Sequence, residues 1–496
     1  MNPIQQFNEL NQQFSLDFTE GTFNESIGVE FTDNNIYKAK SNGVLNGAKD
    51  VTRLYPETVD GRLSNKAYGY ERVFCNKSQI TGISINLGIS GAGGDPIVDP
   101  RNIILDASFL SQFPRLKNFY FNHYNYGRNN PDVITGRLTG EWANKLPSNL
   151  EKFEINNADY PNTTASFDLS LISSTSKLKE IKINSGIAVA TGTFTIRGDL
   201  SKIPNTCETV ILSMDRPNST VSDVVTGFIP SWVKTFVRTG RNTIVQNLST
   251  LNSVMKYLSV EGNNELSGSI PASWSNSLTN LRILGNNIIS GSIPSLSLCN
   301  GFYLVGKNNI SGSIPSLPVC TYFLVQGNNT LSGDINNDIN LPNVGTINIT
   351  GSNSLSGTIK TSEKITYISI AGNNTIDKIE SLPNCTSFYV GGKNRISGNP
   401  FLNLPKAALI NIAGQNIINV YSKQGFANNM SLFSLTGNAE LNQSMVDQLL
   451  VDLNEANWSP NGQKTIIIKG LCAAPGSIGL TAIANLEARG IRVTTN

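Results

Sequence analysis

The chain has 496 residues, 39% of them hydrophobic and only 15% charged, and its 38 Lys and Arg against 36 Asp and Glu leave a net charge of +2. No block of like charge occurs, which excludes a phosphate-binding surface of clustered Lys and Arg, so nucleic acid is not an expected partner. The opening MNPIQQFNELNQQFSLDF has neither the basic nor the apolar region of a secretory signal, and no run of about 18 apolar residues predicts a membrane span.

Residues 1–75 show no repeat and are rich in Asn, Thr and Gly, which predicts an N-terminal cap or attachment domain. From 76 to 235 short alternations of apolar and polar residues recur: ISINLG from Ile83, FYFNHYN from Phe119, FEINNA from Phe153, IKINSG from Ile181 and VILSMD from Val210. Period-two alternation predicts a strand with one buried face. These strands start 28 to 36 residues apart, with insertions at 88–102 and 124–142 expected to be decorated loops of irregular repeats.

Residues 236–443 hold a regular array. One motif recurs: apolar, x, apolar, x, Gly, x, Asn, x, apolar, as in LSVEGNNEL from Leu258, FYLVGKNNI from Phe302 and ISIAGNNTI from Ile368. Its glycines, 262, 285, 306, 327, 351, 372, 392 and 414, follow one another at intervals of 20 to 24. The two inward positions make a short strand, the glycine turns the chain, and the asparagine side chain can pair backbone groups that the turn would leave buried. Asn264, Asn287, Asn308, Asn329, Asn353, Asn374, Asn394 and Asn416 are therefore expected to form one buried row. A self-similar period of this length is the signature of a leucine-rich repeat, in which single turns cannot bury their own face and stacking supplies the core.

After the asparagine comes a second motif, LSGSIP from Leu266 and ISGSIP from Ile289 and Ile310, with weaker copies LSGDI, LSGTI and ISGNP from Leu331, Leu355 and Ile396. Over about 240–440 this resembles leucine-rich repeats of the plant-receptor subtype, whose pattern includes Asn-x-Leu-x-Gly-x-Ile-Pro. The resemblance implies a second short strand on the flank in place of a helix. Four of the six cysteines, Cys207, Cys299, Cys320 and Cys385, stand three residues before the first inward position of their repeats. They read as small core hydrophobes and not as a disulfide framework or a zinc site.

Residues 444–496 change character. SMVDQLLVDLNEAN (444–457) has helical periodicity with Ser444 as its expected N-cap, TIIIKG (465–470) reads as a strand, SIGLTAIANLEARG (477–490) as a helix ended by Gly490, and IRVTTN as a last strand. Cys472 falls in the slot that asparagine holds elsewhere, which the repeat pattern permits. The fold class expected is thus an α/β to mainly-β solenoid, leucine-rich-repeat-like, with a parallel sheet on the concave face, a mostly non-helical convex side and an α/β C-terminal cap.

No P-loop, GxSxG or HExxH motif is present, GISGAGGD at 88–95 reads as a loop, and His123, the sole histidine, sits in an aromatic run without a supporting triad. The carboxylates Glu261, Asp334 and Asp338 are scattered over different turns. No enzymatic activity, cofactor or metal is expected. The candidate ligand surface is the set of outward positions on the concave sheet: Ser259, Glu261, Arg282, Tyr303, Gln326, Asn348, Thr350, Ser369, Tyr389, Asn411, Ser434 and Thr436. It is polar, nearly uncharged and carries two tyrosines, a combination that suits sugars, which present both C–H faces and hydroxyls.

The closing stretch GLCAAPGSIGLTAIANLEARGIRVTTN, from Gly470, resembles C-terminal ends that recur in leucine-rich-repeat-like proteins of bacteriophages, which are mostly virion components. That resemblance implies a virion protein made in the host cytoplasm and carried on the virion surface: a spike, tail-fibre or baseplate element that recognises the host cell. A purely structural capsid or vertex component and a bacterial surface adhesin are the alternatives. Other virion proteins would bind through the N-terminal region, the solenoid would meet a host glycan or outer-membrane protein, and the chain could form a homo-oligomer.

Overall fold

A computed structural model describes residues 13–15, 26–31, 36–40, 72–74, 80–88, 101–124, 134–156, 164–173, 176–185, 193–214, 224–240, 242–335, 337–415, 418–437 and 439–496. They fall into two compact units, 1–245 with 260–263, and 246–259 with 264–496.

In the first unit the chain alternates between two parallel sheets. The main sheet takes strands Ile80–Gly88, Asn118–Tyr124, Lys152–Asn156, Glu180–Ser185, Thr209–Met214 and Thr235–Thr239 in chain order. Each contains one of the alternating segments except the last, whose second inward position is a buried arginine, Arg238, with Nη1 donating to the Leu212 carbonyl at 3.3 Å. The second sheet takes Arg101–Asp106, Ile134–Glu141, Thr164–Asp168, Thr193–Asp199 and Val225–Thr226. The expected loop insertions at 88–102 and 124–142 are corrected by this: Ile134–Glu141 lies inside the second, and Arg101 opens a strand at the end of the first. After three of these strands an aspartate closes a tight helical turn, its carboxylate accepting the amide two residues on, at Asp106, Asp168 and Asp199. Between the sheets Phe119, Phe153 and Phe167 stack with centroids 5.6 and 5.2 Å apart.

Parallel order ends at the first strand of the main sheet. Ser26–Phe31 pairs antiparallel with Ile80–Gly88 on one side and with Ile36–Lys40 on the other. Most of the expected 1–75 cap lies outside the described residues.

In the second unit the main sheet runs in unbroken parallel register from Asn280–Leu284 through Gly301–Gly312, Tyr322–Asp334, Thr346–Gly351, Tyr367–Ile379, Ser387–Gly392, Leu409–Ile412 and Leu432–Leu435 to Thr465–Ile468 and Arg492–Thr495. A second parallel sheet on the flank joins Glu265–Gly268, Ile288–Gly291, the far halves of the long strands, and Ser354–Ile359. The Ser-Gly segments thus form strands and not helices; ISGNP from Ile396 is the exception, leading into a helical turn at Pro400–Asn403. The architecture is a mainly-β solenoid.

The asparagine row is buried from Asn264 to Asn394; Asn416 lies outside the described residues. From Asn287 to Asn394 each asparagine ties its coil to both neighbours, whereas the buried Asn264 Oδ1 accepts no bond among the described residues. The Asn329 Oδ1 accepts the Ile310 amide of the coil before at 3.1 Å, and its Nδ2 donates to the Thr350 carbonyl of the coil after at 3.2 Å. Asn287, Asn308, Asn353, Asn374 and Asn394 repeat both bonds. The first unit holds a further member, Asn242, whose amide reaches the Glu261 carbonyl at 2.7 Å. The glycine that precedes each asparagine makes the close approach possible: at Gly327, with φ +147°, a Cβ would lie 2.7 Å from the Gly306 carbonyl.

Cys207, Cys299, Cys320, Cys385 and Cys472 are buried free thiols. The Cys472 thiol donates to the Ala439 carbonyl at 3.3 Å in the asparagine slot, and the Asn496 amide bonds the Gly470 and Cys472 carbonyls. The first C-terminal helix, α1 (Gln443–Glu455), is capped by Asn442, which accepts the Met445 amide at 3.0 Å; Ser444 instead donates to the Asn442 carboxamide oxygen. The expected cap is therefore displaced by two residues. The second helix, α2 (Ser477–Ala488), stops before Gly490, whose φ is +73°.

Candidate functional site

Alternation sends every second side chain of the main sheet outward, and parallel register lines those side chains up across the strands. Seven of the expected residues share one such rank: Arg282, Tyr303, Asn348, Ser369, Tyr389, Asn411 and Ser434. Leu324 stands between Tyr303 and Asn348 in that rank and was not expected there. Gln326, Thr350 and Thr436 sit two residues further along their strands, half-buried. Ser259 and Ser434 drop out as contact residues, being only 3% and 5% exposed. Glu261 belongs to the first unit.

The tyrosines occur in pairs. Tyr303 stacks on Tyr322 with centroids 5.8 Å apart and ring planes 24° apart, and the Arg282 guanidinium lies over the Tyr303 ring at 5.2 Å. Tyr367 and Tyr389 form a second, tilted pair at 6.5 Å. Tyr322 and Tyr367 belong to the adjacent rank, in which Gly301, Tyr322, Thr346, Tyr367 and Ser387 lie side by side. Carrying the alternation one step toward the start of each strand would have found them. Gly301 matters to the first pair, because a Cβ there would lie 2.9 Å from Cε2 of Tyr303 and displace the ring.

Burial pushes the Tyr303 and Tyr389 phenols above their ordinary range, each helped by its partner tyrosine, while Arg282 works the other way at Tyr303. Both phenols therefore stay neutral at physiological pH. Seven consecutive strands, from Gly301–Gly312 to Leu432–Leu435, carry no Asp, Glu, Lys or Arg on their outward main-sheet positions. The outer face of the first unit is built differently: Lys182 pairs with Glu154 at 3.9 Å and with Glu180, and the Asn156 amide donates to Glu154 at 2.7 Å.

The other candidate chemistry is not brought together. His123 lies on the first unit's main sheet, in register with Leu87. Asp334 ends a strand on the flank sheet of the second unit, opposite Ser356, and Asp338 lies in a single helical turn. Among the described residues no group of three His, Cys, Asp or Glu side chains is placed to hold a metal, and no helix is long and apolar enough to cross a membrane.

No family model matches the chain, and no curated protein matches it. Solved structures do. The leucine-rich-repeat ectodomain of the Arabidopsis receptor kinase HAESA, with an N-terminally extended IDA peptide hormone, is 16% identical over 80% of this chain and 68% of that one, at a TM-score of 0.47. The crystal structure of PEPR1-AtPEP1 is 16% identical over 75% of this chain, at a TM-score of 0.44, and this chain spans 59% of its length. The plant peptide hormone receptor RGFR1 with RGF2 is 16% identical over 80% of this chain and 86% of that one, at a TM-score of 0.33. Likeness at these scores says nothing of ligand or activity, and the solenoid stands on the register of its own strands.

Proposed function

We propose that this chain is a non-enzymatic recognition protein whose second unit binds a neutral, hydroxyl-rich ligand, a cell-surface glycan, on the outer face of its main sheet. The observation that carries this reading is the two tyrosine pairs set within seven strands free of outward charge. Aromatic faces pack against the C–H faces of sugars, and hydroxyl and amide side chains such as Thr350 and Asn411 meet their hydroxyls. Within those seven strands an ionic ligand would find no outward counter-charge, and the Arg282 guanidinium at their margin lies over the Tyr303 ring.

The proposal extends to place. The likeness of the closing stretch to bacteriophage proteins supports a spike, tail-fibre or baseplate element on the virion surface, with residues 1–75 joining it to other virion proteins or to further copies.

Titration of purified protein on host cells at low and high salt tests the binding surface. A neutral contact depends weakly on salt, and Tyr303→Ala and Tyr389→Ala should each cost on the order of tenfold in affinity. Binding that collapses with salt would move the site to a charged face. Absence of binding to any host cell would leave a structural role in the particle.

A further inference from the structure

We infer that Tyr322 and Tyr367 are the two walls of a slot that clamps a single sugar ring of the glycan, with Thr346 and Asn348 as its floor. This rests on the glycan reading above and names its specificity-determining subsite.

Three observations carry it. First, the order of stacking decides which ring faces are open. Arg282 lies over the Tyr303 ring and Tyr322 stacks next in line, so Tyr303 is enclosed between its neighbours. Tyr322 is 48% exposed, and its register partner on the following strand is Thr346. From the other side Tyr389 backs Tyr367 at 6.5 Å, with the rings tilted by 47°. The inner two tyrosines are the walls and the outer two are buttresses, which reverses the weight that sequence position gives to Tyr303 and Tyr389.

Second, the width fits one ring. Tyr322, Thr346 and Tyr367 are in direct register on three successive strands. The walls therefore rise about 9.6 Å apart, two strand spacings. A ring placed midway would lie about 4.8 Å from each wall, at the short end of the centroid distances that ring stacking prefers. Directly between them stands Thr346, and in the next rank Asn348, flanked by Leu324 and Ser369. A peptide is a poorer occupant, because the strands beneath spend their backbone groups on each other and leave no edge to extend.

Third, the floor has hydrogen-bonding capacity to spare. The Asn348 Oδ1 is shielded from solvent and has no hydrogen-bond partner in the protein. Turning that amide toward the slot breaks no existing bond, and a bound hydroxyl would satisfy it. Rejection of sugars that lack the matching hydroxyl follows from the same orphaned group.

The test is titration of the full chain with methyl glycosides of neutral hexoses, followed by ligand-observed NMR, alongside the host-cell assay. At least one glycoside should bind. Tyr322→Ala and Tyr367→Ala should each lose at least tenfold, and the double variant little more, because a clamp needs both walls. Thr346→Trp should fill the slot and abolish binding with an unchanged melting temperature. Asn348→Ala should narrow the difference between epimers. If Thr346→Trp binds normally while Tyr303→Ala and Tyr389→Ala lose binding, the glycan lies elsewhere on the face and the slot is wrong. If no glycoside binds yet host-cell binding persists, the ligand is not a neutral sugar and both readings fall.

Discussion

At the scale of single residues the asparagine row sets the rules. Asn329 gives one coil an acceptor and the next a donor, so Asn329→Ala orphans the Ile310 amide and the Thr350 carbonyl together. Its expected cost is about 1–3 kcal/mol. Asn328, beside it in sequence, is exposed, and Asn328→Ala should stay within about 0.5 kcal/mol. Urea unfolding of the two variants checks both, and equal costs would refute the row as the source of stability. The cysteines obey a different constraint. Burial pushes the Cys299, Cys320 and Cys385 thiols up from 9.0 to about 12. Above pH 9 the unfolded chain releases protons that the folded chain keeps. These thiols therefore favour folding fully below that pH, and the advantage is lost as pH rises from 9 toward 12. Melting temperatures across that range should fall less steeply when all three are replaced by valine.

At the scale of elements, helix caps and strand pairs separate what pattern reveals from what it hides. The N-cap of α1 is Asn442, so Asn442→Ala should cost about 1 kcal/mol and Ser444→Ala much less, read from thermal unfolding. Both residues are good caps by type, and only the φ and ψ of the turn chose between them. The main-sheet strands were legible because alternation survives in those from Ile83 to Ile466 other than Thr235–Thr239. The second sheet of the first unit was not. Ile134–Glu141 and Thr193–Asp199 are interrupted by glycine and Val225–Thr226 is two residues long, so these strands carry little period of their own. Asn242 was hidden for a related reason: Arg238 fills the inward position where an apolar residue is expected.

At the scale of the whole molecule the open question is the sheet edge. An uncovered parallel edge invites pairing with other chains, and here Ser26–Phe31 covers Ile80–Gly88 in antiparallel register. Among the described residues, deleting 1–25 removes a three-residue pairing, Gln13–Ser15 with Arg72–Phe74. Such a chain should stay monodisperse in size-exclusion chromatography. Deleting 1–75 strips the covering strand and should cause self-association. Equal behaviour of the two chains would mean that the covering strand protects nothing.

The sequence by itself determined the solenoid, its inward positions and the burial of its asparagines, because a repeat demands the same local solution in every coil. It also marked the outward row as neutral and tyrosine-bearing. Only the tertiary structure decided which tyrosines face one another. That depends on register between coils of unequal length, 21 residues from Gly306 to Gly327 but 24 from there to Gly351, and on a glycine at 301 that lets Tyr303 lie against Tyr322. Local pattern fixes the side of the sheet on which a residue sits, whereas its neighbours there are set by contacts between residues about twenty positions apart.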